Sequence, residues 1–92
     1  YEGQSLTWVL YHLLNDPSCR ASVIEPFCVS ETKATFYQNV AQLQHPNRVT
    51  VYENWSKEIL PTLPKNSFDL IYIDGSHKAE DVWLDAKLCW SL

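Results

Sequence analysis

Apolar and polar positions change period several times along the chain, and each change marks an element. In SLTWVLYHLL, Leu6, Val9, Leu10, Leu13 and Leu14 recur at helical spacing. Ser5 stands where a side-chain oxygen can cap orphan amides, so a helix is predicted from Ser5 to Leu14. Asn15, Asp16 and Pro17 end it. The β-branched run ASVIE predicts a short strand that stops at Glu25, because Pro26 blocks further pairing. Ser30 and Glu31 open a second helix with Ala34, Tyr37, Val40, Ala41 and Leu43 on one face, broken at His45-Pro46-Asn47. VTVYE reads as a strand, SKEILPTL as a brief helix capped by Ser56 and bent or ended near Pro61, and KNS as a turn. FDLIYID is apolar without interruption from Leu70 to Ile73, as strands covered on both faces are. After DGSH, Val82, Ala86, Cys89 and Trp90 share a face, so AEDVWLDAKLCWSL is predicted helical.

Strands that alternate with helices mean βαβ units and a parallel sheet, an α/β fold. From its 92 residues the chain is expected to form at most one compact unit, and it carries no internal repeat, linker or low-complexity segment. An apolar fraction of 46% with 20% charged residues excludes intrinsic disorder. A net charge of −4 leaves no broad basic face for phosphates, which excludes nucleic acid as a partner. No apolar run reaches the ~18 residues of a membrane span. Cys19, Cys28 and Cys89 are odd in number and lack CxxC spacing, which fits a reducing setting, so the cytoplasm is the expected location.

In open parallel sheets, ligands sit beyond the carboxyl ends of the strands. That directs attention to Glu25, to Glu53 through Ser56, and to Asp74 through His77. Glu25 follows Gly3 by 22 positions, close to the ~20-residue gap between a nucleotide-binding glycine turn and the acid that accepts ribose hydroxyls. The competing reading is a solvated loop acid. Gly3, Gln4 and Ser5 precede a helix N-terminus whose amides favour an anion, or simply form a cap. The loop has no Lys and no GxxxxGK[ST], which argues against a nucleoside-triphosphate site.

Asp74, Gly75, Ser76 and His77 are the most informative cluster, since Gly after a strand-terminal Asp lets the backbone turn sharply or approach a ligand. Asp74 could orient an ammonium or bind a metal, and His77 could serve as a general base; alternatively Asp74 caps the last helix and His77 is a surface residue. Trp55 could stack on a purine or merely pack. Trp8, Trp83 and Trp90 read as helix-face packing residues, Glu80, Asp81 and Asp85 as the wet face of the last helix, and His12 and His45 as bland.

YEGQSLTWVLYHLL, SVIEP and FDLIYIDGSHKAEDVWLDAKLCW together resemble the class I S-adenosylmethionine-dependent methyltransferases, in the branch with an FDLIYIDGSH-type fourth strand. The likeness spans essentially all 92 residues, with FDLIYIDGSH its specific part. It implies a Rossmann-like three-layer α/β/α sandwich, here incomplete, with three strands and four helices over residues 1–92. Glu2, Gly3, Gln4 and Ser5 would match the loop around the methionine part of the cofactor, and Glu25 the ribose-binding acid. Trp55 and Ser56 would match the adenine loop. Asp74 would face the methionine moiety and ligate Mg²⁺ in metal-dependent members, and His77 would take the acceptor's proton where relatives often carry Lys.

The implied reaction is S-adenosylmethionine-dependent O-methylation of a small-molecule or sugar hydroxyl. The family's central first strand and the strands after the fourth helix have no counterpart here. The chain therefore reads as a fragment, whose missing strands come from the rest of a parent chain or another subunit, and its own activity stays open. Two alternatives stand beside this one: a non-catalytic binding or structural module on the same scaffold, and a nicotinamide-dependent oxidoreductase, which shares the ribose-binding acid.

Overall fold

The computed structural model describes residues 3–92, and the predicted cofactor residue Glu2 lies outside them. The chain divides into two compact units, Tyr1–Glu53 and Asn54–Leu92.

The first unit contains helix α1 (Gln4–His12), strand β1 (Ala21–Ile24), helix α2 (Ser30–Ala41), a 3₁₀ turn (Pro46–Arg48) and strand β2 (Val49–Tyr52). β1 and β2 run parallel, with Ala21 opposite Val49 and Ile24 opposite Tyr52, so β1, α2 and β2 form the predicted βαβ unit. Glu25 N–H extends the ladder by donating to Tyr52 O at 3.1 Å. The carboxyl ends of the two strands are thereby aligned.

α1 packs against α2. Leu10 and Phe36 are the largest fully buried side chains, joined by Val40. Burying side chains of this size contributes about 1.5–3 kcal/mol each. The buried stripe of α2 is Thr32, Phe36 and Val40, four residues apart, rather than the predicted Ala34, Tyr37, Val40 and Ala41 face. Phe36 is the larger apolar group, and the helix turns to bury its ring in place of two alanines. α1 begins one residue earlier than predicted and ends at His12, and its N-cap is Gly3 rather than Ser5.

In the second unit, helix α3 (Ser56–Ile59) runs into a 3₁₀ turn (Leu60–Thr62) at Pro61, as predicted. Helix α4 (Ala79–Cys89) closes the chain. The KNS turn holds Asn66 at φ 55, and Asn66 and Phe68 donate backbone N–H groups to Ser91 O and Leu92 O at 2.9 and 3.0 Å. Leu60 and Leu92 are its buried apolar residues.

The architecture is α/β with a parallel sheet, four helices and two strands among the described residues, an incomplete Rossmann-like arrangement. The third predicted strand, in FDLIYID, joins no ladder. A strand is held by the neighbour that satisfies its backbone, and no described strand pairs with this one. Its residues keep the alternation of a strand: Leu70 and Tyr72 are 73% and 77% exposed, Ile71 and Ile73 only 38% and 37%.

Helix-face packing predicted for Trp8, Trp83 and Trp90 is likewise not found. They are 55%, 65% and 92% exposed, because no described element of their own unit covers those faces. Trp83 instead lies under the Lys87 ammonium at 5.7 Å.

Candidate functional site

In the first unit the candidate residues lie at the start of α1 and at the exits of the two strands. Gly3 adopts φ 80, a left-handed conformation that Gly reaches without strain. Thr7 N–H donates to Gly3 O at 2.9 Å, the first bond of α1. A Cβ on Gly3 would lie 2.9 Å from Phe36 Cδ2, so the ring of α2 fills the space a side chain would need. Gln4 and Ser5 are exposed on the first turn.

Glu25 is half-buried at the end of β1, and its Oε1 accepts the backbone N–H of Phe27 at 3.0 Å. A carboxylate has about four lone-pair sites, so one bond leaves acceptor capacity for a diol. Pro26 restricts Glu25 to extended backbone. Phe27 then turns left-handed at φ 52, and its ring meets Phe36 edge-on at 5.1 Å between centroids. Phe36 thus touches the Gly3 turn on one side and the Glu25 corner on the other.

The exit of β2 carries a cluster that sequence reasoning noted only as a place to look. Glu53 accepts Tyr37 O–H at 2.6 Å on Oε1 and Lys33 Nζ at 3.1 Å on Oε2. The Tyr37 hydroxyl, then the Lys33 ammonium, hold the Glu53 carboxyl below its usual range. The same bond, with lesser help from burial, pushes the Tyr37 phenol up to about 12. A groove of about 420 Å³ in this unit, lined by Gln4, Trp8, Tyr11 and Gln42 among others, includes neither Gly3 nor Glu25.

In the second unit, Trp55 is the N-cap residue of α3 and is 55% exposed. Its carbonyl accepts Glu58 and Ile59 N–H. Ser56 does not cap this helix with its side chain; its Oγ donates to Asp85 Oδ1 at 2.6 Å and ties α3 to α4. Asp85 is therefore half-buried and engaged, a correction to its expected place on a wet face. Burial, and then the Asp85 charge, push the Cys89 thiol up.

Asp74 and His77 are both exposed. The turn before α4 is made by Ser76, whose Oγ donates to Asp81 Oδ2 at 2.7 Å and accepts Lys78 N–H at 3.1 Å. The alternative in which Asp74 caps the last helix is not found: Lys78 is the N-cap residue of α4, and no described side chain bonds the orphan amides there. Gly75 does not reach positive φ, and a Cβ there would meet only Asp85 Oδ2 at 3.8 Å, an ordinary contact. The expected sharp turn at Gly75 is thus not the reason for a glycine.

Among the described residues, no three His, Cys, Asp or Glu side chains come together in a way that could hold a metal ion. The donor set expected around Asp74 for Mg²⁺ does not fit, because one exposed carboxylate supplies too few oxygens. No described helix is long and apolar enough to cross a membrane.

A glycine turn opening a helix and an acid at a parallel-strand exit also mark nicotinamide-binding folds, so geometry alone leaves two enzyme classes. A family model for a methyltransferase domain matches residues 1–92. The chain belongs to this methyltransferase family. Membership decides between the classes, and S-adenosylmethionine is the usual cofactor of such domains. No curated protein and no solved structure matches the chain. Within the methyltransferase domain, Phe36 is the residue that sequence reasoning missed; the spacing of Thr32, Phe36 and Val40 was the signal available.

Proposed function

We propose that the chain is the cofactor-binding part of an S-adenosylmethionine-dependent methyltransferase acting on the hydroxyl of a small molecule or sugar. The observation that carries the reading is Glu25. It stands at the carboxyl end of a parallel strand, oriented by Phe27 N–H, in the same unit as the left-handed Gly3 turn that opens α1. A carboxylate suits a ribose diol because it accepts twice and donates nothing.

Bound there, S-adenosylmethionine supplies an electrophilic methyl group on a sulfonium sulfur. In this reading the α1 amides near Gly3, Gln4 and Ser5 receive the methionine carboxylate, to which a helix N-terminus is favourable. Trp55, Ser56, Asp74 and His77 take roles from their motif positions alone: adenine stacking by the exposed Trp55, orientation of the methionine ammonium by Asp74, and acceptance of the hydroxyl proton by His77. With the methyl group so supplied, His77 would take the proton that the acceptor hydroxyl gives up as its oxygen becomes methylated. The protein's contribution is alignment.

Calorimetric titration with the demethylated product S-adenosylhomocysteine tests the reading. The unsubstituted chain binds with heat, and Glu25→Ala weakens that binding by at least about tenfold, the scale of one lost charge-assisted hydrogen-bond pair. Absence of heat from a well-folded chain would sink the reading. The exposure of Asp74 and His77 favours a second reading, a binding module without catalysis. That reading would be overturned if His77→Gln abolished methyl transfer while leaving folding and S-adenosylhomocysteine binding intact.

A further inference from the structure

We infer that Phe36 is a positioning residue for the cofactor, one buried ring that sets both corners the proposed binding uses. The inference rests on the reading of Gly3 and Glu25 given above. Phe36 is 1% exposed, and its Cδ2 and Cε2 would stand 2.9 and 3.2 Å from a Cβ on Gly3. The glycine turn therefore lies directly on the ring face or edge, with no side chain between.

On its other side, Phe36 meets the Phe27 ring at 5.1 Å and 62°. Phe27 is a non-glycine residue at φ 52, a conformation that L-residues adopt only when their surroundings impose it. Two things hold it: the packing of its ring and the bond from its N–H to Glu25 Oε1. A chain of contacts thus runs from the Gly3 backbone through Phe36 and Phe27 to the Glu25 carboxylate. The next residue of α2 extends the support, since Tyr37 packs on Phe27 at 5.9 Å and bonds Glu53 at the neighbouring strand exit.

A purely structural core residue would lower stability when trimmed and leave affinity unchanged wherever the chain stays folded. A positioning residue has a different signature, because the part of its effect that passes through Glu25 is lost when that carboxylate is gone, and only the part exerted through the Gly3 turn remains. The test uses the full chain at a temperature where circular dichroism shows it folded, with S-adenosylhomocysteine as the titrant. Phe36→Leu is expected to weaken binding about tenfold when Glu25 is present and less than about threefold in a Glu25→Ala background. Equal losses in both backgrounds would overturn the inference. Phe36→Met, longer and better able to fill an irregular gap, replaces Phe36→Leu if the latter does not fold, with the same expectation.

Hydrogen exchange reads the same contact without ligand. Phe36→Leu is expected to speed exchange of the Phe27 amide selectively, relative to the amides of β1 and β2. A uniform change across all of them overturns the positioning role. A selective change in a chain that binds no titrant leaves the corner mechanism standing and removes the cofactor reading instead.

Discussion

Arg48 donates from Nη1 to Leu14 O at 2.6 Å and Asp16 O at 3.0 Å, and from Nη2 to Leu10 O at 3.4 Å. These carbonyls lie at and just beyond the end of α1, where helix carbonyls have no intrahelical donor and a cation opposes the negative end of the dipole. The guanidinium is buried, and its Nε has no hydrogen-bond partner. Arg48→Ala is expected to lower stability by at least about 2 kcal/mol, since each carbonyl left dry costs about 1–3 kcal/mol. Arg48→Lys should recover only part, because an ammonium cannot reproduce the fork. Urea denaturation reads both; an alanine variant within about 0.5 kcal/mol of the parent would show that water replaces the guanidinium. Sequence reasoning had no hold on this residue. An Arg after a His-Pro-Asn turn looks solvent-exposed, and only the return of the chain beneath α1 buries it.

Helix α2 is latched to the exit of β2 through Lys33 and Tyr37, one turn apart on the helix and both on Glu53. Glu53 has a folded-state pKa below its ordinary range, so its contribution is present above about pH 4.5 and is lost as pH falls through the folded value. Tyr37 is shifted the other way, to about 12, so its contribution is full below an ordinary phenol value of about 10 and is lost as pH rises through 12. Tyr37→Phe removes the alkaline limb and the larger part of the acid one, leaving Lys33 on Glu53. The stability difference between parent and variant should be widest from about pH 5 to 10 and narrow on either side. Denaturation midpoints across that range check it; a difference constant with pH would show that the bond is not coupled to folding. Here the elements were well read from sequence, since β1 and β2 lie within a residue of expectation and α2 starts at Ser30, although it ends at Ala41, short of the expected break at His45. What escaped was the rotation of α2 about its axis. Alanines and a large aromatic both satisfy an apolar pattern, and only packing volume decides which goes inside.

For the molecule as a whole, the α/β pattern and the methyltransferase family were legible because DGSH and its flanking strand and helix patterns are local features of the chain. Less legible was what each candidate residue does. Ser56 and Asp85 bond each other, Ser76 shapes the turn before α4, and no metal-binding group forms around Asp74, all outcomes of contacts distant in sequence. The run Leu70–Ile73 has a further consequence. Its four apolar residues have high strand propensity and stand outside any ladder, which makes them a template for intermolecular pairing, and the aspartates at 69 and 74 serve as gatekeepers against it. Tyr72→Lys, at a 77% exposed position, should reduce light scattering at high concentration and leave the helical circular dichroism unchanged. Unaltered scattering would place the sticky surface elsewhere. Asp69→Asn together with Asp74→Asn should have the opposite effect, in which case both acidic residues of the most specific motif guard the solubility of the chain through their charge.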